Sequence, residues 1–350
     1  MPDSEKGLDK KAGTATSKKP WTKVAIVGTA VIVVIAIALG VGLGVGLTRN
    51  RNADGGDGSN SNGSGSSSGN NNNNITTSTS PTNVTRTSTW RPPVGASWQI
   101  ILRQPIDVVS GGNDTALITP NADVWDIDMY ENPATTISTL QTAGKKVICY
   151  FSAGSYEDWR PDKAAFQAAD LGKDLAGWPG ERWLNVSSAS VRSVMASRVK
   201  LASDKGCDAV DPDNVDGYQN DNGLGLTRDD AVAFVRFLQG ETARYNMSLG
   251  LKNAGDIIAD VLDVVDFSVN EQCVQHGECA TFAAFVQHGK PVFNIEYPDD
   301  VGDAAVRNIC SHQGASRGSD GFSQVVKRMK LDGWVKYCDG KTYETRVKTS

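Results

Sequence analysis

Short β-prone runs alternate with helix-forming segments over most of the chain after residue 92. The runs that favour strands lie at 98–102, 124–129, 146–151, 209–211, 248–252, 265–269 and 291–295. Helical patterns lie between several of them, at 190–205 and at 228–245. This alternation predicts a parallel α/β fold, and the roughly 258 residues of 93–350 are a natural size for one (β/α)8 TIM barrel. An open doubly wound sheet is the alternative, although no glycine-rich phosphate loop follows the first run.

A different pattern precedes this body, because residues 24–47 carry no charge and are almost all Val, Ile, Ala, Leu or Gly. A helix of this length spans roughly 36 Å, more than the hydrocarbon core of a bilayer of about 30 Å. A cleaved signal peptide is the alternative, but its apolar region usually has only about 7–15 residues. Lysines cluster before the run and only Arg49 and Arg51 follow it closely, so residues 1–23 are expected to be a cytoplasmic tail. We therefore expect a single-pass type II plasma-membrane protein with an extracellular body.

Residues 48–92 are expected to form a disordered stalk between the transmembrane helix and the body. From 55 to 74 every residue except Asp57 is Gly, Ser or Asn, a composition that cannot bury enough apolar surface to offset chain entropy. Proteolysis of the stalk, which would release the body, is left open. Acceptor sequences for N-linked glycosylation, which fit passage through the secretory pathway, occur at Asn62, Asn74, Asn83, Asn113, Asn185 and Asn246.

The net charge of -5 is the sum of two segments with opposite charge. Up to Pro92 the chain has ten Lys and Arg against five Asp and Glu, and after it twenty-five against thirty-five. An acidic body argues against nucleic acid as a partner, since phosphate binding requires a basic face. The body is expected to be monomeric.

All six cysteines follow residue 140, which agrees with an oxidising compartment. We expect Cys273 to pair with Cys279 and Cys310 to pair with Cys338. Cys149 and Cys207 flank apolar runs, and the sequence leaves open whether they are bonded or free. His276 lies between Cys273 and Cys279, but no CxxC or HExxH spacing completes a zinc site, so neither a metal nor another cofactor is expected.

Polar residues collect where the predicted strands end. They are Asp126, Asp128, Tyr150, Ser152, Asp211, Asp213, Asn214, Lys252, Asn253, Asn270, Glu271, Glu296 and Tyr297. Because the carboxyl ends of barrel strands converge on one face, we expect these side chains to form the functional site. Trp159, Trp178 and Trp183 lie in the connection after the third run, and each is interpreted either as a platform for sugar rings or as a packing residue.

The carboxylates of this set narrow the possible chemistry. The acidic segment from Asp211 to Asp216 lacks the glycine and the glutamate that an EF-hand calcium loop requires. Ser316 has GxSxG spacing, but no β-prone run precedes it to build the strand–turn–helix elbow of a serine nucleophile. A pair of carboxylates remains, and cleavage of glycosidic bonds uses such a pair. Asp213 and Glu271 are the candidates, although a turn aspartate and a solvated loop carboxylate are the alternative interpretations.

Three segments resemble the signature blocks of glycoside hydrolase family 114, the endo-α-1,4-polygalactosaminidases. They are Val-Ile-Cys-Tyr-Phe-Ser-Ala-Gly-Ser-Tyr-Glu-Asp-Trp-Arg at 147–160, Gly-Cys-Asp-Ala-Val-Asp-Pro-Asp-Asn-Val-Asp-Gly-Tyr at 206–218 and Ser-Val-Asn-Glu-Gln-Cys at 268–273. The resemblance runs from about residue 98 to 338. It implies a (β/α)8 barrel, with Asp213 as the nucleophile and Glu271 as the acid/base of a retaining mechanism.

The resemblance also implies an α-1,4-linked galactosamine polymer, such as partly deacetylated galactosaminogalactan of biofilms, as the substrate. The acidic body supports a cationic polysaccharide independently, because carboxylates at the strand ends attract ammonium groups. Lys252 is interpreted either as the cation that keeps Asp213 ionised or as half of a structural ion pair. The remaining alternatives are a catalytically silent surface lectin for cationic polysaccharide and a glycosidase of the same fold acting on another glycan.

Overall fold

The computed structural model describes residues 87–108 and 118–348, and its strands follow the alternation read from the sequence. The strands are β1 (Trp98–Ile101), β2 (Val124–Asp128), β3 (Lys146–Ser152), β4 (Ser155–Glu157), β5 (Leu171–Asp174), β6 (Glu181–Leu184), β7 (Ala209–Asp213), β8 (Ser248–Lys252), β9 (Phe267–Glu271), β10 (Val292–Glu296), β11 (Ser323–Val326), β12 (Trp334–Tyr337) and β13 (Thr342–Glu344). All seven predicted runs form strands. The run predicted at 209–211 continues to residue 213, so Asp213 is the last residue of its strand.

Helices separate the strands and cover the sheet. They are α1 (Ala134–Thr142), α2 (Ala189–Lys205), α3 (Arg228–Ala243), α4 (Ile258–Val261), α5 (Cys273–His276), α6 (Cys279–Gln287) and α7 (Asp303–Ile309). Helix α3 begins with a capping box, in which the Thr227 side chain accepts from the Asp230 N–H and the Asp230 carboxylate accepts from the Thr227 N–H. Helix α2 ends at Gly206, whose φ of 95° is the left-handed conformation that glycine adopts without strain.

The main sheet has the order β1-β2-β3-β7-β8-β9-β10-β11-β12-β13, and its members from β1 to β11 are parallel. The sheet is curled, so that β1 and β11 approach each other. The Trp98 indole N–H donates to the Ser323 carbonyl at 2.7 Å, and the Tyr337 hydroxyl donates to the Trp98 carbonyl at 2.8 Å. An α/β fold with a sheet curled in this way is consistent with a TIM-barrel glycosidase.

Alternation along each strand divides the apolar residues into two layers. In β2, Val124 packs inside the curl, whereas Trp125 and Ile127 pack between the sheet and the helices. Asp126 and Asp128 therefore point to the inside of the curl, on the same face as Val124. Gly250 in β8 leaves room for the Phe267 ring, because a Cβ at Gly250 would lie 2.5 Å from that ring.

A second, antiparallel sheet interrupts the β/α alternation after β3. Its strands have the order β4-β6-β5, and its segment runs from the end of β3 to the start of α2. The pattern of the sequence does not predict this sheet, because its strands have only three or four residues each. It lies at the carboxyl end of β3, where the candidate site residues also lie.

Three disulfides connect the body. Cys273 is bonded to Cys279 and Cys310 to Cys338, in the pairing expected from the sequence, and Cys149 is bonded to Cys207. The last bond links β3 to the turn before β7, and these two strands carry candidate site residues.

The amino-terminal predictions lie almost entirely outside the described residues. No helix within 87–108 and 118–348 is both long and apolar enough to cross a membrane, and the predicted span at 24–47 is not among these residues. At the end of the predicted stalk, Arg91 forms an ion pair of 3.3 Å with Asp266, so this part of 48–92 contacts the body. Asn185 and Asn246 are among the described residues, and the other four acceptor asparagines are not.

Candidate active site

A cavity of about 450 Å³ opens at the carboxyl ends of the parallel strands. Its walls come from strand ends, from the antiparallel sheet and from the loop that follows β11. The lining residues are Leu102, Arg103, Asp128, Glu131, Tyr150, Glu157, Trp159, Arg160, Leu175, Trp178, Glu181, Asp213, Asn214, Asp216, Lys252, Asn253, Glu271, Tyr297, Met329, Lys330 and Leu331.

Three charged side chains from neighbouring strands meet in the floor of this cavity. Asp213 ends β7, Lys252 ends β8 and Glu271 ends β9. The Lys252 Nζ lies 3.1 Å from Asp213 Oδ2 and 3.2 Å from Glu271 Oε2. The lysine side chain is only 2% exposed, so its charge is compensated inside the protein by the two carboxylates.

Further hydrogen bonds fix the position of Asp213. The Tyr150 hydroxyl donates to its Oδ2 at 2.9 Å, and the Asn214 backbone N–H donates to its Oδ1 at 2.7 Å. Asn214 has a φ of 62°, and its carbonyl lies where a side chain at Gly154 would have to be, with a Cβ at only 1.7 Å. Glycine at 154 is therefore required for the close approach of the loop that carries Asn214.

Glu271 is held by the neighbouring strand ends. The Tyr297 hydroxyl donates to its Oε1 at 2.6 Å and the Asn253 amide donates to its Oε2 at 3.1 Å. Asn253 in turn accepts from the Glu271 backbone N–H at 2.9 Å. The disulfide between Cys273 and Cys279 begins two residues after Glu271 and closes the loop at this point.

Lys252 and Glu271 shift each other's pKa. Burial by itself lowers the pKa of Lys252, but Asp213 and Glu271 outweigh it and raise that pKa well above the usual value. Burial raises the pKa of Glu271, but the Lys252 ammonium and the hydrogen bonds from Tyr297 and Asn253 outweigh it, so that this pKa is lowered. Burial and the adjacent carboxylates raise the pKa of Tyr150 and of Tyr297, which keeps both hydroxyls protonated as donors. Lys252 and Glu271 are therefore charged in the free protein at neutral pH.

A second pair of carboxylates lies inside the curl, outside the cavity lining. Asp126 and Asp211 are fully buried, and within the described residues no donor hydrogen-bonds to any of their four carboxyl oxygens. The two groups contact each other, so a hydrogen bond between them requires that one carries a proton. Burial and the adjacent Asp211 raise the pKa of Asp126, while burial, opposed by Lys252, raises the pKa of Asp211 to about 7.

A second cationic cluster lies where the antiparallel sheet meets the cavity. Arg160 is 5% exposed, with Nη2 at 2.7 Å from Asp128 Oδ2 and at 2.8 Å from Glu157 Oε1. Beside it, Trp159 is 50% exposed and Trp178 is 56% exposed, whereas Trp183 is buried. Of the three tryptophans considered from the sequence, only these two present a ring to the cavity.

The structure divides the predicted substrate-contacting residues into two groups. Those that line the cavity are Asp128, Tyr150, Asn214, Lys252, Asn253 and Tyr297, together with Asp213 and Glu271. Those that lie outside the lining are Asp126, Ser152, Asp211, Asn270 and Glu296.

Alternation along the strands explains why Asn270 and Glu296 lie outside the cavity lining. Val269 packs inside the curl and precedes Asn270, so alternation turns Asn270 towards the helices. Glu296 accepts from the Val274 N–H at 2.8 Å in the outer layer. Ser152 hydrogen-bonds with the Asn214 side chain at 2.8 Å and therefore supports the site without lining it.

Several lining residues were missed as site residues from the sequence. Glu157 and Arg160 are in the first block that carries the family resemblance, but nothing in that block distinguishes them from surface charges. Glu181 has no signal of its own, since it lies on a strand of the antiparallel sheet that was not predicted. No group of three or more His, Cys, Asp or Glu in the described part of the chain is arranged to hold a metal ion.

We predict that Asp126→Asn stabilises the protein at high pH. A carboxyl group whose pKa is raised by folding binds its proton more tightly in the folded state, so its contribution to stability falls as pH rises above about 4. The asparagine cannot ionise, and its amide can donate to Asp211. We expect Asp126→Asn to have a higher melting temperature than the wild type, with a larger difference at pH 8 than at pH 4.5. In unfolding free energy, the gain at pH 8 should exceed the gain at pH 4.5 by about 1 kcal/mol or more.

Thermal unfolding at both pH values measures this difference. Asp221→Asn is the matched control, because Asp221 is exposed and its one ion pair within the described part of the chain is with the exposed Lys173. An equal difference at the two pH values would contradict the buried, protonated state of the pair.

Comparisons with known proteins support a glycosidase. The sequence model of Glycoside-hydrolase family GH114 matches residues 79–343. A search of curated proteins found no match. A crystal structure of Aspergillus fumigatus Ega3 in complex with galactosamine is 51% identical, covers 72% of this chain and 99% of that chain, and has a TM-score of 0.66.

The glycoside hydrolase domain of PelA from Pseudomonas aeruginosa is 13% identical, covers 67% of this chain and 95% of that chain, and has a TM-score of 0.50. At this identity the likeness concerns the fold alone. The family match extends over most of the chain, including all strands of the parallel sheet, and agrees with the Ega3 likeness. The chain therefore belongs to glycoside hydrolase family GH114 and is a glycoside hydrolase.

Proposed function

We propose that the protein is an endo-acting hydrolase of α-1,4-linked galactosamine polymers, in which Asp213 is the nucleophile and Glu271 the acid/base. The observation that carries this proposal is the position of both carboxylates on one lysine in the floor of the cavity. The likeness to Ega3, which was crystallised with galactosamine, supports the sugar. We also propose that the curled sheet is a complete (β/α)8 barrel, in which the carboxyl ends of the strands form the active-site face.

The shared contact with Lys252 agrees with a retaining mechanism. Asp213 Oδ2 lies 3.1 Å and Glu271 Oε2 lies 3.2 Å from the same Lys252 nitrogen. These two oxygens are therefore no further apart than the sum of the two distances. Retaining enzymes hold their two carboxyl groups about 5–5.5 Å apart, a separation that two carboxylates on one ammonium can adopt.

In the first step, Glu271 would react in its protonated form, which is the minor form in the free protein at neutral pH. It would donate this proton to the glycosidic oxygen while the Asp213 carboxylate attacks the anomeric carbon. The carbon–oxygen bond to the leaving sugar breaks, and a covalent glycosyl ester forms on Asp213. In the second step, the Glu271 carboxylate removes a proton from water, and the water oxygen displaces Asp213. The Tyr150 hydroxyl and the Asn214 N–H keep the attacking carboxylate oriented throughout.

Lys252 affects the two steps differently. Its ammonium contacts the Asp213 carboxylate at 3.1 Å, and it lowers the pKa of Glu271, which must carry a proton in the first step. Formation of the ester on Asp213 removes one of the two negative charges that face the lysine. The Lys252 ammonium is then left with Glu271, which favours the carboxylate form that the second step needs.

The charge of the cavity supports a cationic substrate. Its lining includes seven carboxylates, from Asp128, Glu131, Glu157, Glu181, Asp213, Asp216 and Glu271, and four cations, from Arg103, Arg160, Lys252 and Lys330. The excess of negative charge attracts an amino sugar more than a neutral one, and salt screens this attraction. The exposed faces of Trp159 and Trp178 offer apolar surface for the sugar rings.

We predict that Asp213→Asn and Glu271→Gln each abolish most hydrolysis of deacetylated α-1,4-galactosamine polymer, by about 10²–10⁴-fold or more. Both variants keep one carboxylate against Lys252, so each should retain a folded structure. The double variant leaves the buried ammonium unpaired and should unfold at a clearly lower temperature. Release of oligosaccharides and thermal unfolding are measured together, with the exposed Asp174→Asn as control. Near wild-type hydrolysis in either single variant excludes that residue from the chemistry.

The stereochemistry of the product tests the mechanism separately. Two displacements at the anomeric carbon restore its configuration, so the first reducing end released should be the α anomer. Proton NMR during the first minutes of hydrolysis, before mutarotation equilibrates the anomers, measures this directly. A β anomer as the first product would require an inverting mechanism and would overturn the role of Asp213 as nucleophile.

We further propose that residues 24–47 anchor the enzyme in the plasma membrane with the catalytic body outside the cell. The support is the length of the uncharged run and the lysines before it. The full chain should then sediment with membranes and resist extraction at alkaline pH, and external protease should remove the body from intact cells. Recovery of the full chain in the soluble fraction would contradict an anchor.

A further inference from the structure

Most carboxylates of the cavity are already paired with a cation. Asp213 and Glu271 contact Lys252, Asp128 and Glu157 contact Arg160, and Glu131 lies 3.9 Å from Arg160. Two lining carboxylates differ. Neither Glu181 nor Asp216 has a Lys, Arg or His nitrogen within ion-pair distance among residues 87–108 and 118–348.

These two carboxylates also have few hydrogen-bond donors. Glu181 Oε2 accepts from the Ser155 hydroxyl at 2.7 Å, and no other side chain of the described residues donates to Glu181. No side chain of the described residues donates to the Asp216 carboxylate, although its own backbone N–H lowers its pKa. Both groups lie in the cavity wall, where a carboxylate without a cation is costly unless a ligand compensates its charge.

The fold places both groups in the cavity wall near Asp213, whose charge acts on each of them. Asp216 follows Asp213 by three residues, in a turn that ends at Gly217. A Cβ at Gly217 would lie 3.0 Å from the Trp183 ring, so this turn packs on the strand that carries Glu181. Glu181 and Trp183 are two residues apart on β6 and share one face of it.

The pKa shifts of Glu181 and Asp216 agree with a site that lacks a cation. Burial, with Glu157 and Asp213, raises the pKa of Glu181 to about 7, although Ser155 and Arg160 oppose it. Burial, with Asp213 and Glu271, raises the pKa of Asp216 to about 6, although its backbone N–H and Lys252 oppose it. Both carboxylates would gain from a cation that enters from the cavity.

We propose that Glu181 and Asp216 bind the ammonium group of a galactosamine unit next to Asp213, and that they give the enzyme its preference for deacetylated polymer. An ammonium group has three donors and needs several acceptors, which two carboxylates provide. The carboxylates that contact Arg160 and Lys252 already share a cation and serve this purpose less well. This assignment rests on the proposed function, since it concerns the same cavity, but it names the residues that recognise the amino group.

The test measures binding of two small sugars to the full chain. Galactosamine and galactose share the ring and differ at the amino group, so the ratio of their dissociation constants isolates recognition of the ammonium. We expect Glu181→Gln and Asp216→Asn each to reduce the preference for galactosamine by about tenfold, as for the loss of one charged contact, with galactose binding unchanged. Ligand-observed NMR titration measures both constants.

Matched controls separate this effect from a general change of charge. Asp221→Asn repeats the Asp216 substitution at an exposed position five residues later, and Glu344→Gln repeats the Glu181 substitution in the exposed β13. Both controls should keep the wild-type ratio. In the wild type the preference for galactosamine should rise between pH 5 and pH 7, as Asp216 and Glu181 ionise, and this rise should be smaller in each variant.

Each outcome decides one point. An unchanged ratio in both variants, or a parallel loss of galactose binding, overturns the ammonium site. A changed ratio in one variant overturns the two-carboxylate site and leaves a single contact. Cleavage of deacetylated polymer by the wild type is assayed separately. If the wild type cleaves the polymer and the ratio of dissociation constants is unchanged in the variants, the proposed function stands and the ammonium site is rejected. If the ratio changes but the wild type does not cleave the polymer, the proposed function is contradicted and the ammonium site stands.

Discussion

The contact of one buried ammonium with two carboxylates organises the active site. Lys252 lies between Asp213 and Glu271, and its charge would be strongly unfavourable in the interior without them. The lysine in turn offsets the repulsion between the two carboxylates. Three adjacent parallel strands, each ending on one of these residues, position them, so the distance between the two carboxylates depends on the spacing of β7, β8 and β9.

The rest of the site is built around this contact from less regular segments. The antiparallel sheet after β3 supplies Glu157 and Glu181 and carries Trp159 and Arg160 close to its strands, so it forms much of the cavity wall. The disulfide between Cys149 and Cys207 connects β3 to the turn before β7, and the bond between Cys273 and Cys279 closes the loop after Glu271. These covalent links lie directly behind the residues that must hold their positions during the reaction.

The cavity contains two kinds of carboxylate. Arg160 and Lys252 each form ion pairs with two carboxylates next to them, which keeps those groups in place. Glu181 and Asp216 have no partner of this kind among the described residues, and the proposed ammonium site rests on this difference. The strand ends alone do not indicate which carboxylates of the cavity lack a cation.

The sequence by itself determined the strand positions and the catalytic candidates. Short β-prone runs fixed seven strands of the parallel sheet, because hydrophobic patterning is a local property, and the strand-end residues included Asp213, Lys252 and Glu271. Only the tertiary structure decided that Asp126 and Asp211 contact each other outside the cavity, that Asn270 and Glu296 turn towards the helices, and that Glu181 joins the site. These facts depend on strand alternation, on the curl of the sheet and on packing between segments distant in sequence. No pattern along the chain records such contacts, because they exist only once the strands are side by side.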